Sequence, residues 1–151
     1  MTHAFNPTIL REYDIRGIVG DTLTEADAYG LGRTYAAIAR EEGAMRIAVG
    51  RDGRTHSGML EAALVRGLTD GGIDVVMVGM GPSPMLYFAT HFLEVDGGIQ
   101  VTGSHNPKNW NGFKMVLAGR AIYGEDIQKL RERIQNEDMA ERWRGEPIVV
   151  G

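Results

Sequence analysis

The sequence predicts an α/β fold, with a mostly parallel sheet covered by helices on both faces. Short apolar segments typical of buried strands alternate with segments of helical periodicity, and glycines separate them. A helix between two strands forms a right-handed crossover, which makes the strands parallel and places helices on the faces of the sheet. The chain has 151 residues, 43% of them hydrophobic, which is enough for one domain with a packed core.

The first helix and the strand after it have clear boundaries in the sequence. Thr24 followed three positions later by Asp27 is typical of a helix N-cap, and apolar residues continue beyond it at helical spacing. Gly43 is expected to end this helix, because glycine readily adopts the left-handed conformation at a helix C-terminus. Residues 46–50, which are apolar after Arg46, are typical of a short buried strand.

The alternation of strands and helices continues along the rest of the chain. The remaining predicted elements are a helix with Leu60, Leu64 and Leu68 on one stripe, a strand at 73–78, a helix opened by Ser83 and Pro84, strands at 99–102 and 113–117, and a helix over 127–136. Residues 140–151 are weakly patterned, and Pro147 to Val150 are interpreted as a lead into a further segment.

Composition and charge exclude several classes of protein. A net charge of −4 and a pI near 5.5 argue against general nucleic-acid binding, which needs a cationic surface. The absence of cysteine excludes disulfides and thiolate zinc sites and fits a cytoplasmic location. His3, His56 and His91 lack metal-ligand spacing. Neither a signal peptide nor an apolar run long enough to span a membrane is visible, so no membrane partner is predicted.

A turn-rich segment with one serine follows the strand predicted at 99–102. In open α/β sheets, ligands bind at the carboxyl ends of strands, where loops meet helix N-termini. Gly103 allows a tight bend, and the Asn106-Pro107 step prevents the strand from continuing. Turn composition alone favours a hydrophilic turn without chemistry. The position after a strand nevertheless makes Ser104 a candidate for ligand contact.

Three passages carry distinctive motifs: Y-D-I-R-G at 13–17, V-G-R-D-G-R at 49–54, and T-G-S-H-N-P at 102–107 followed by N-G-F-K at 111–114. In this order they resemble motifs of the α-D-phosphohexomutases, specifically the bacterial phosphomannomutase/phosphoglucomutase branch. The third passage is similar to that family's phosphoserine loop. The resemblance implies a single three-layer domain with a mostly parallel mixed sheet. It also implies that residues 1–151 are the N-terminal domain and that the later domains are absent from this chain.

The resemblance implies a catalytic role for Ser104, which is carried as phosphoserine. It passes the phosphoryl group to and from a hexose phosphate, interconverting the 1-phosphate and the 6-phosphate through a hexose 1,6-bisphosphate. A phosphoserine carries close to two negative charges, so it needs cations and donors around it. Arg16, His105 and Lys114 are assigned to its neighbourhood, and Lys114 is also able to exchange a proton with a sugar hydroxyl. Two interpretations of His105 remain open, catalysis and support of the loop.

Other residues of these motifs receive supporting roles. Gly103, Asn106 and Asn111 are predicted to support the loop, the two asparagines as turn residues whose side chains tie it to its own backbone. Tyr13 either borders the sugar or packs beside the first strand. The charged side chains of V-G-R-D-G-R are predicted to form a salt-linked turn that supports the site.

Magnesium is the cofactor that the resemblance implies. In that family it is bound by the phosphoserine, here Ser104, and by an acidic D-G-D-x-D-R loop. This chain has no D-x-D-x-D run, so most metal ligands and sugar contacts are expected from the remaining domains of the same enzyme. The domain alone is therefore expected to be inactive, although the complete protein is predicted to be an intramolecular phosphotransferase of carbohydrate metabolism.

Two alternatives to this function remain open. Phosphoglucosamine mutases tend to show S-A-S-H-N-P and D-N-G-I-K where this chain has T-G-S-H-N-P and W-N-G-F-K, so that branch ranks second. The missing acidic loop also leaves room for a noncatalytic α/β module that binds sugar phosphates.

Overall fold

The computed structural model describes residues 15–21, 23–81, 86, 94–103, 107–117, 120–121 and 147–149. The elements in chain order are β1 (Ile15–Ile18), α1 (Glu25–Glu41), β2 (Arg46–Arg51), α2 (Ser57–Asp70), β3 (Asp74–Met80), β4 (Gly97–Val101), β5 (Trp110–Leu117), β6 (Arg120–Ala121) and β7 (Pro147–Val149). The helices predicted over 83–93 and 127–136 lie outside the described residues, apart from buried Leu86.

One mixed sheet contains all the described strands, in the order β1-β5-β4-β2-β3-β7, with β6 paired to β5. The neighbours β4, β2, β3 and β7 run parallel, whereas β5 is antiparallel to both β4 and β1. The crossovers through α2 and between β3 and β4 produce the parallel centre, and the short β4–β5 connection produces the antiparallel pairing. The predicted α/β class and mostly parallel sheet are confirmed.

The core lies between one face of the sheet and the pair of helices α1 and α2. Val49 in β2, Ile99 in β4 and Phe113 in β5 contribute to this core from the sheet. They are fully buried together with Leu31 of α1 and Leu64 of α2. Because side chains alternate along a strand, the intervening residues of β4 and β5 point to the opposite face. That alternation decides which polar side chains share a face at the candidate site.

Helix α1 begins and ends where the sequence predicts. Thr24 and Asp27 form a capping box, in which the Thr24 amide donates to Asp27 Oδ2 (2.7 Å) and the Asp27 amide donates to Thr24 Oγ1 (3.3 Å). Gly43 follows the helix with a φ of 82°, a left-handed conformation that strains other residues.

The two helices pack with their backbones in contact at a pair of glycines. A Cβ built on Gly67 would lie 2.2 Å from the carbonyl oxygen of Tyr29, and one on Gly32 would lie 2.5 Å from that of Leu64. Any side chain at either position therefore has to push the helices apart, and interiors are too densely packed to absorb that movement without cost.

Pro147 to Val150, interpreted as a lead into a further segment, include a strand that the sequence analysis did not predict. Strand β7 adds to the edge of the sheet beside β3, with Val75 opposite Pro147 and Val76 opposite Ile148. The segment is a three-residue edge strand that begins with proline, a residue tolerated at the first position of an edge strand. So short a strand leaves no periodicity to detect in the sequence.

Candidate functional site

The three sequence motifs come together at the carboxyl ends of β2 and β4. The Asp52 amide, just after β2, donates to Val101 O (2.9 Å), and the Thr102 amide, just after β4, donates to Gly112 O (2.9 Å). Arg16 in β1 pairs with the same Gly112 from the other side. Residues far apart in the chain are thus adjacent at the edge of the sheet where ligands of α/β proteins gather.

Arg16 and Lys114 lie on the same face of the sheet, opposite α1 and α2. Gly112 is the strand partner of Arg16, and Lys114 is two residues further along β5, so the two cations are diagonal neighbours across the strand pair. Diagonal neighbours of this kind are roughly 7–8 Å apart, close enough for two long side chains to contact one ligand. Both residues are partly exposed.

Asp52 holds the start of the loop that contains the predicted phosphoserine. Its Oδ2 accepts from the Gly103 amide (2.9 Å), and its Oδ1 accepts from Ser57 Oγ (2.5 Å) and from the Arg54 amide (3.1 Å). The carboxylate thereby links the ends of β2 and β4 to the first residue of α2.

Arg54 contacts both described flanks of residues 104–106. Its Nη1 donates to Pro107 O (2.5 Å) and Trp110 O (3.1 Å), and its Nε lies 3.4 Å from Asp52 Oδ2. A Cβ at position 103 would lie 2.2 Å from the Arg54 Cζ, so the guanidinium occupies the space that a side chain there would need. A side chain at position 103 would therefore displace the Arg54 guanidinium from its hydrogen bonds to Pro107 and Trp110.

The salt-linked turn predicted for V-G-R-D-G-R is present only in part. Arg54 and Asp52 form the link, but Arg51 pairs with Glu61 of α2 instead, with its Nε 3.4 Å from Glu61 Oε1. Burial raises the pKa of Glu61 above its usual value, and the charge and hydrogen bond of Arg51 oppose that rise. Glu61 Oε2 is buried without a hydrogen-bond partner in the part of the chain that the structure describes.

Burial alone would raise the pKa of Asp52, but hydrogen bonds from Ser57, Gly103, Arg54 and Thr102 together lower it below 3.8. The native carboxyl consequently binds fewer protons than the unfolded one between the two pKa values. Its contribution to stability is therefore complete above the unfolded pKa and is lost as the pH falls through the lower native pKa.

Asp52→Asn is expected to destabilise the fold by about 1–2 kcal/mol at neutral pH, because one amide oxygen replaces two charged acceptors. The difference from the parent should shrink as the pH falls below about 4, because the carboxyl of the unfolded parent takes up a proton before that of the folded parent, which favours unfolding. Urea unfolding at several pH values measures this. Glu61→Gln is the control with the opposite pH dependence, because the pKa of Glu61 is raised in the fold. Relative to the parent, this variant should gain stability as the pH rises above about 4.5. A pH-independent penalty for Asp52→Asn would contradict the assignment.

The structure corrects the prediction that Asn111 is a turn residue. It lies within β5, is completely buried, and donates from Nδ2 to Ser57 Oγ (2.8 Å), while its Oδ1 accepts from the Gly112 amide (2.9 Å). β5 begins at Trp110, three residues before the start predicted from the apolar run. Polar residues at this end of β5 precede the apolar run, so hydrophobic periodicity did not reveal where the strand begins.

His56 and Ser57 contact the site, and sequence reasoning missed both. His56 lies within hydrogen-bonding distance of Asn111 Nδ2 (2.9 Å) and Lys108 O (3.0 Å), and Ser57 contacts Asp52 and Asn111. The available signal was their position directly after V-G-R-D-G-R, which brings them to the same edge of the sheet.

Four predicted site residues lie outside the described residues: Tyr13, Ser104, His105 and Asn106. Within the described ranges, no group of three histidines, aspartates or glutamates is able to hold a metal ion. Asp52 Oδ1 accepts two hydrogen bonds, and Oδ2 accepts one and lies 3.4 Å from Arg54 Nε, so protein donors surround this carboxylate. None of the described helices combines the length and apolarity needed to span a membrane.

Comparison with known proteins finds a family model and several relatives to which this chain is similar. Residues 7–141 match the family model for phosphoglucomutase/phosphomannomutase, alpha/beta/alpha domain I. A phosphomannomutase/phosphoglucomutase from Pseudomonas aeruginosa is 50% identical over 133 residues, which cover 88% of this chain and 29% of that protein. A phosphoglucomutase from Neisseria gonorrhoeae is 51% identical over 129 residues, which cover 85% of this chain and 28% of that protein.

A solved structure has the same fold. The crystal structure of a phosphoglucomutase/phosphomannomutase family protein from Burkholderia thailandensis matches with a TM-score of 0.90 and 42% identity, over 96% of this chain and 33% of that one. The chain thus spans about a third or less of the length of these relatives.

Proposed function

This chain belongs to the phosphoglucomutase/phosphomannomutase family as its α/β/α domain I, and from that premise we propose that it supplies the phosphoserine of a hexose phosphomutase. Ser104 is the phosphoryl carrier, and the substrates are mannose and glucose phosphates. The observation that carries the proposal is the convergence of three motifs at one sheet edge, with Arg16 and Lys114 on a common face beside the strand that leads to Ser104.

The proposed reaction consists of two phosphoryl transfers. The free hydroxyl of a hexose 1-phosphate attacks the phosphorus of phospho-Ser104, the bond from phosphorus to Oγ breaks, and the hydroxyl proton passes to the leaving serine oxygen. The resulting 1,6-bisphosphate then reorients in the site, so that its phosphate at C1 faces Ser104. Ser104 Oγ then attacks the phosphorus at C1, the bond from that phosphorus to the C1 oxygen breaks, and the serine proton passes to that oxygen, which releases hexose 6-phosphate and restores the phosphoserine. Atoms and charge balance over the cycle.

Fixed positive groups account for the chemistry of this domain. Phosphoryl transfer depends mainly on positioning and on neutralising the phosphate oxygens, rather than on covalent chemistry from the protein. Arg16 offers two parallel donors to those oxygens, and Lys114 offers a point charge that also relays the hydroxyl proton. His105 assists the transfer or shapes the loop, and Tyr13 borders the sugar or packs beside β1. Asn106 supports the loop.

The remaining domains of the enzyme complete the proposed site. Residues 1–151 form the phosphoserine domain, and the later domains supply the carboxylates for Mg²⁺ and the contacts that select the sugar. When bound, the ion neutralises charge on the transferred phosphate. The domain alone is proposed to be inactive, and the full-length enzyme is proposed to be cytoplasmic.

Lys114→Met in the full-length protein is expected to lower kcat by about a hundred-fold, because the variant loses both a cation and a proton relay at the reacting oxygens. Arg66→Met is the matched control, since Arg66 is exposed on α2. It should keep parental activity. Steady-state assays of both variants make the comparison, and equal rates for the two would remove Lys114 from the mechanism.

Assay of the full-length protein tests the proposed function directly. With Mg²⁺ and a trace of hexose 1,6-bisphosphate, it should convert mannose 1-phosphate and glucose 1-phosphate to their 6-phosphates. Faster conversion of glucosamine 1-phosphate would favour the phosphoglucosamine branch instead. Binding of sugar phosphates without turnover would favour a noncatalytic module.

A further inference from the structure

A chain of hydrogen bonds runs from the start of the serine loop to its end through the first turn of α2. Beginning at Gly103, it passes through Asp52, Ser57, Asn111 and His56 and ends at the carbonyl oxygen of Lys108. Every link measures between 2.5 and 3.0 Å. None of these side chains touches the sugar phosphate in the proposed mechanism.

The direction of each bond in this chain can be assigned. The Gly112 amide must donate to an oxygen, so Asn111 Oδ1 faces Gly112 and Nδ2 faces Ser57 and His56. His56 Nδ1 is therefore an acceptor, which leaves the ring hydrogen on Nε2, where it donates to the Lys108 carbonyl. Both ring nitrogens are therefore used, Nδ1 as an acceptor and Nε2 as a donor.

His56 is the N-cap residue of α2, but its side chain contacts Asn111 and Lys108 rather than the helix. It makes no side-chain capping bond to the helix, whereas Thr24 at the N-cap of α1 does. N-cap side chains ordinarily satisfy the free amides of the first helical turn. The imidazole instead contacts two positions more than 50 residues away in the chain, at 108 and 111.

We infer that His56 is a positioning residue, which acts through Asn111 and Lys108 to fix the far end of the loop that carries Ser104. Asp52 fixes the near end through Gly103, and Arg54 contacts both flanks. Only residues 104–106 separate the two flanks, so a shift at either one changes where the serine oxygen can lie. A displacement of the order of 1 Å in a reacting group costs about a hundred-fold in rate.

This inference rests on the proposed function. It predicts that His56 affects the rate of phosphoryl transfer rather than the binding of the sugar. Loss of the imidazole removes one donor and one acceptor, so His56→Ala in the full-length protein should slow phosphoryl transfer to Ser104 about ten-fold. KM for the hexose phosphate should stay within about two-fold, because the later domains hold the sugar in the proposed mechanism. His56→Gln keeps one donor and one acceptor on a flexible side chain and should recover most of the rate.

The decisive experiment follows the transfer of ³²P from labelled glucose 1,6-bisphosphate to dephosphorylated full-length protein by rapid quench. Hydrogen exchange of the Gly103, Lys108 and Trp110 amides is measured on the same variants, and it should be faster in His56→Ala only. Asp96→Ala is the matched control, because it removes hydrogen bonds to Met45 and Arg46 at the amino end of β2. It should lower stability and leave the transfer rate unchanged.

The outcomes separate this inference from the function on which it rests. If the parent protein takes no label on Ser104, the proposed function fails. If the parent is labelled and His56→Ala is labelled equally fast, His56 has no positioning role and the function stands. A slow His56→Ala that His56→Gln fails to restore, with unchanged loop exchange, would also overturn the inference.

Discussion

Ser104→Ala is expected to lower kcat of the full-length enzyme by at least about a thousand-fold, because the variant has no oxygen to accept the phosphoryl group. Both transfers of the proposed reaction pass through that oxygen. The nearest other hydroxyl in the sequence, that of Thr102, is buried and bonded to Asp52, so it is not expected to replace Ser104. The variant should still bind hexose phosphates, because the cations and the sugar contacts are kept.

Thr69→Ala is the matched control for loss of a hydroxyl. Thr69 donates to Val65 O within α2, near the end of the helix remote from the loop, so its loss should leave turnover unchanged. Steady-state assays with saturating bisphosphate and Mg²⁺ compare the two variants. Turnover by Ser104→Ala within ten-fold of the parent would show that the phosphoryl group travels by another route.

Gly67→Ala is expected to destabilise the domain by about 3 kcal/mol, a large effect for the addition of one methyl group. The new Cβ would lie 2.2 Å from the carbonyl oxygen of Tyr29 and 3.0 Å from the amide nitrogen of Arg33. Both atoms belong to the backbone of α1, so no side chain can rotate away to make room. Helices α1 and α2 would have to separate, and the core residues between them and the sheet would lose packing.

Gly58→Ala is the control with the opposite expected sign. Gly58 lies in the same helix, but a Cβ there meets nothing within 4 Å. Alanine should therefore stabilise α2 by about 0.5 kcal/mol through its higher helix propensity. Urea unfolding of both variants measures the difference, and similar midpoints would mean that the close approach of the helices is incorrect.

Local signals in the sequence were sufficient for the elements whose boundaries depend on nearby residues. The cap formed by Thr24 and Asp27 involves groups three positions apart, and Gly43 needs only its own backbone freedom. Strand β7 was not predicted because three edge residues gain their structure from pairing with β3, about 70 positions earlier in the chain. Local periodicity carries no information about such a partner.

The site residues that were predicted came from sequence motifs rather than from hydrophobic periodicity. Arg16 and Lys114 were assigned by resemblance, and strand register then shows that they share a face. The contacts of Arg54 and His56 were not predictable, because their acceptors at Pro107 and Lys108 are more than 50 positions away. Such bonds follow from the order of strands in the sheet, which alternating elements alone do not determine.

Transfer of labelled phosphate tests the central claim most directly. Dephosphorylated full-length protein would be incubated with ³²P-labelled hexose 1,6-bisphosphate, quenched and digested, and the labelled peptide sequenced. The account predicts one labelled site, Ser104, in the parent protein and no stable label in Ser104→Ala. Label on another residue, or equal labelling of the alanine variant, would contradict the assignment of Ser104 as the phosphoryl carrier.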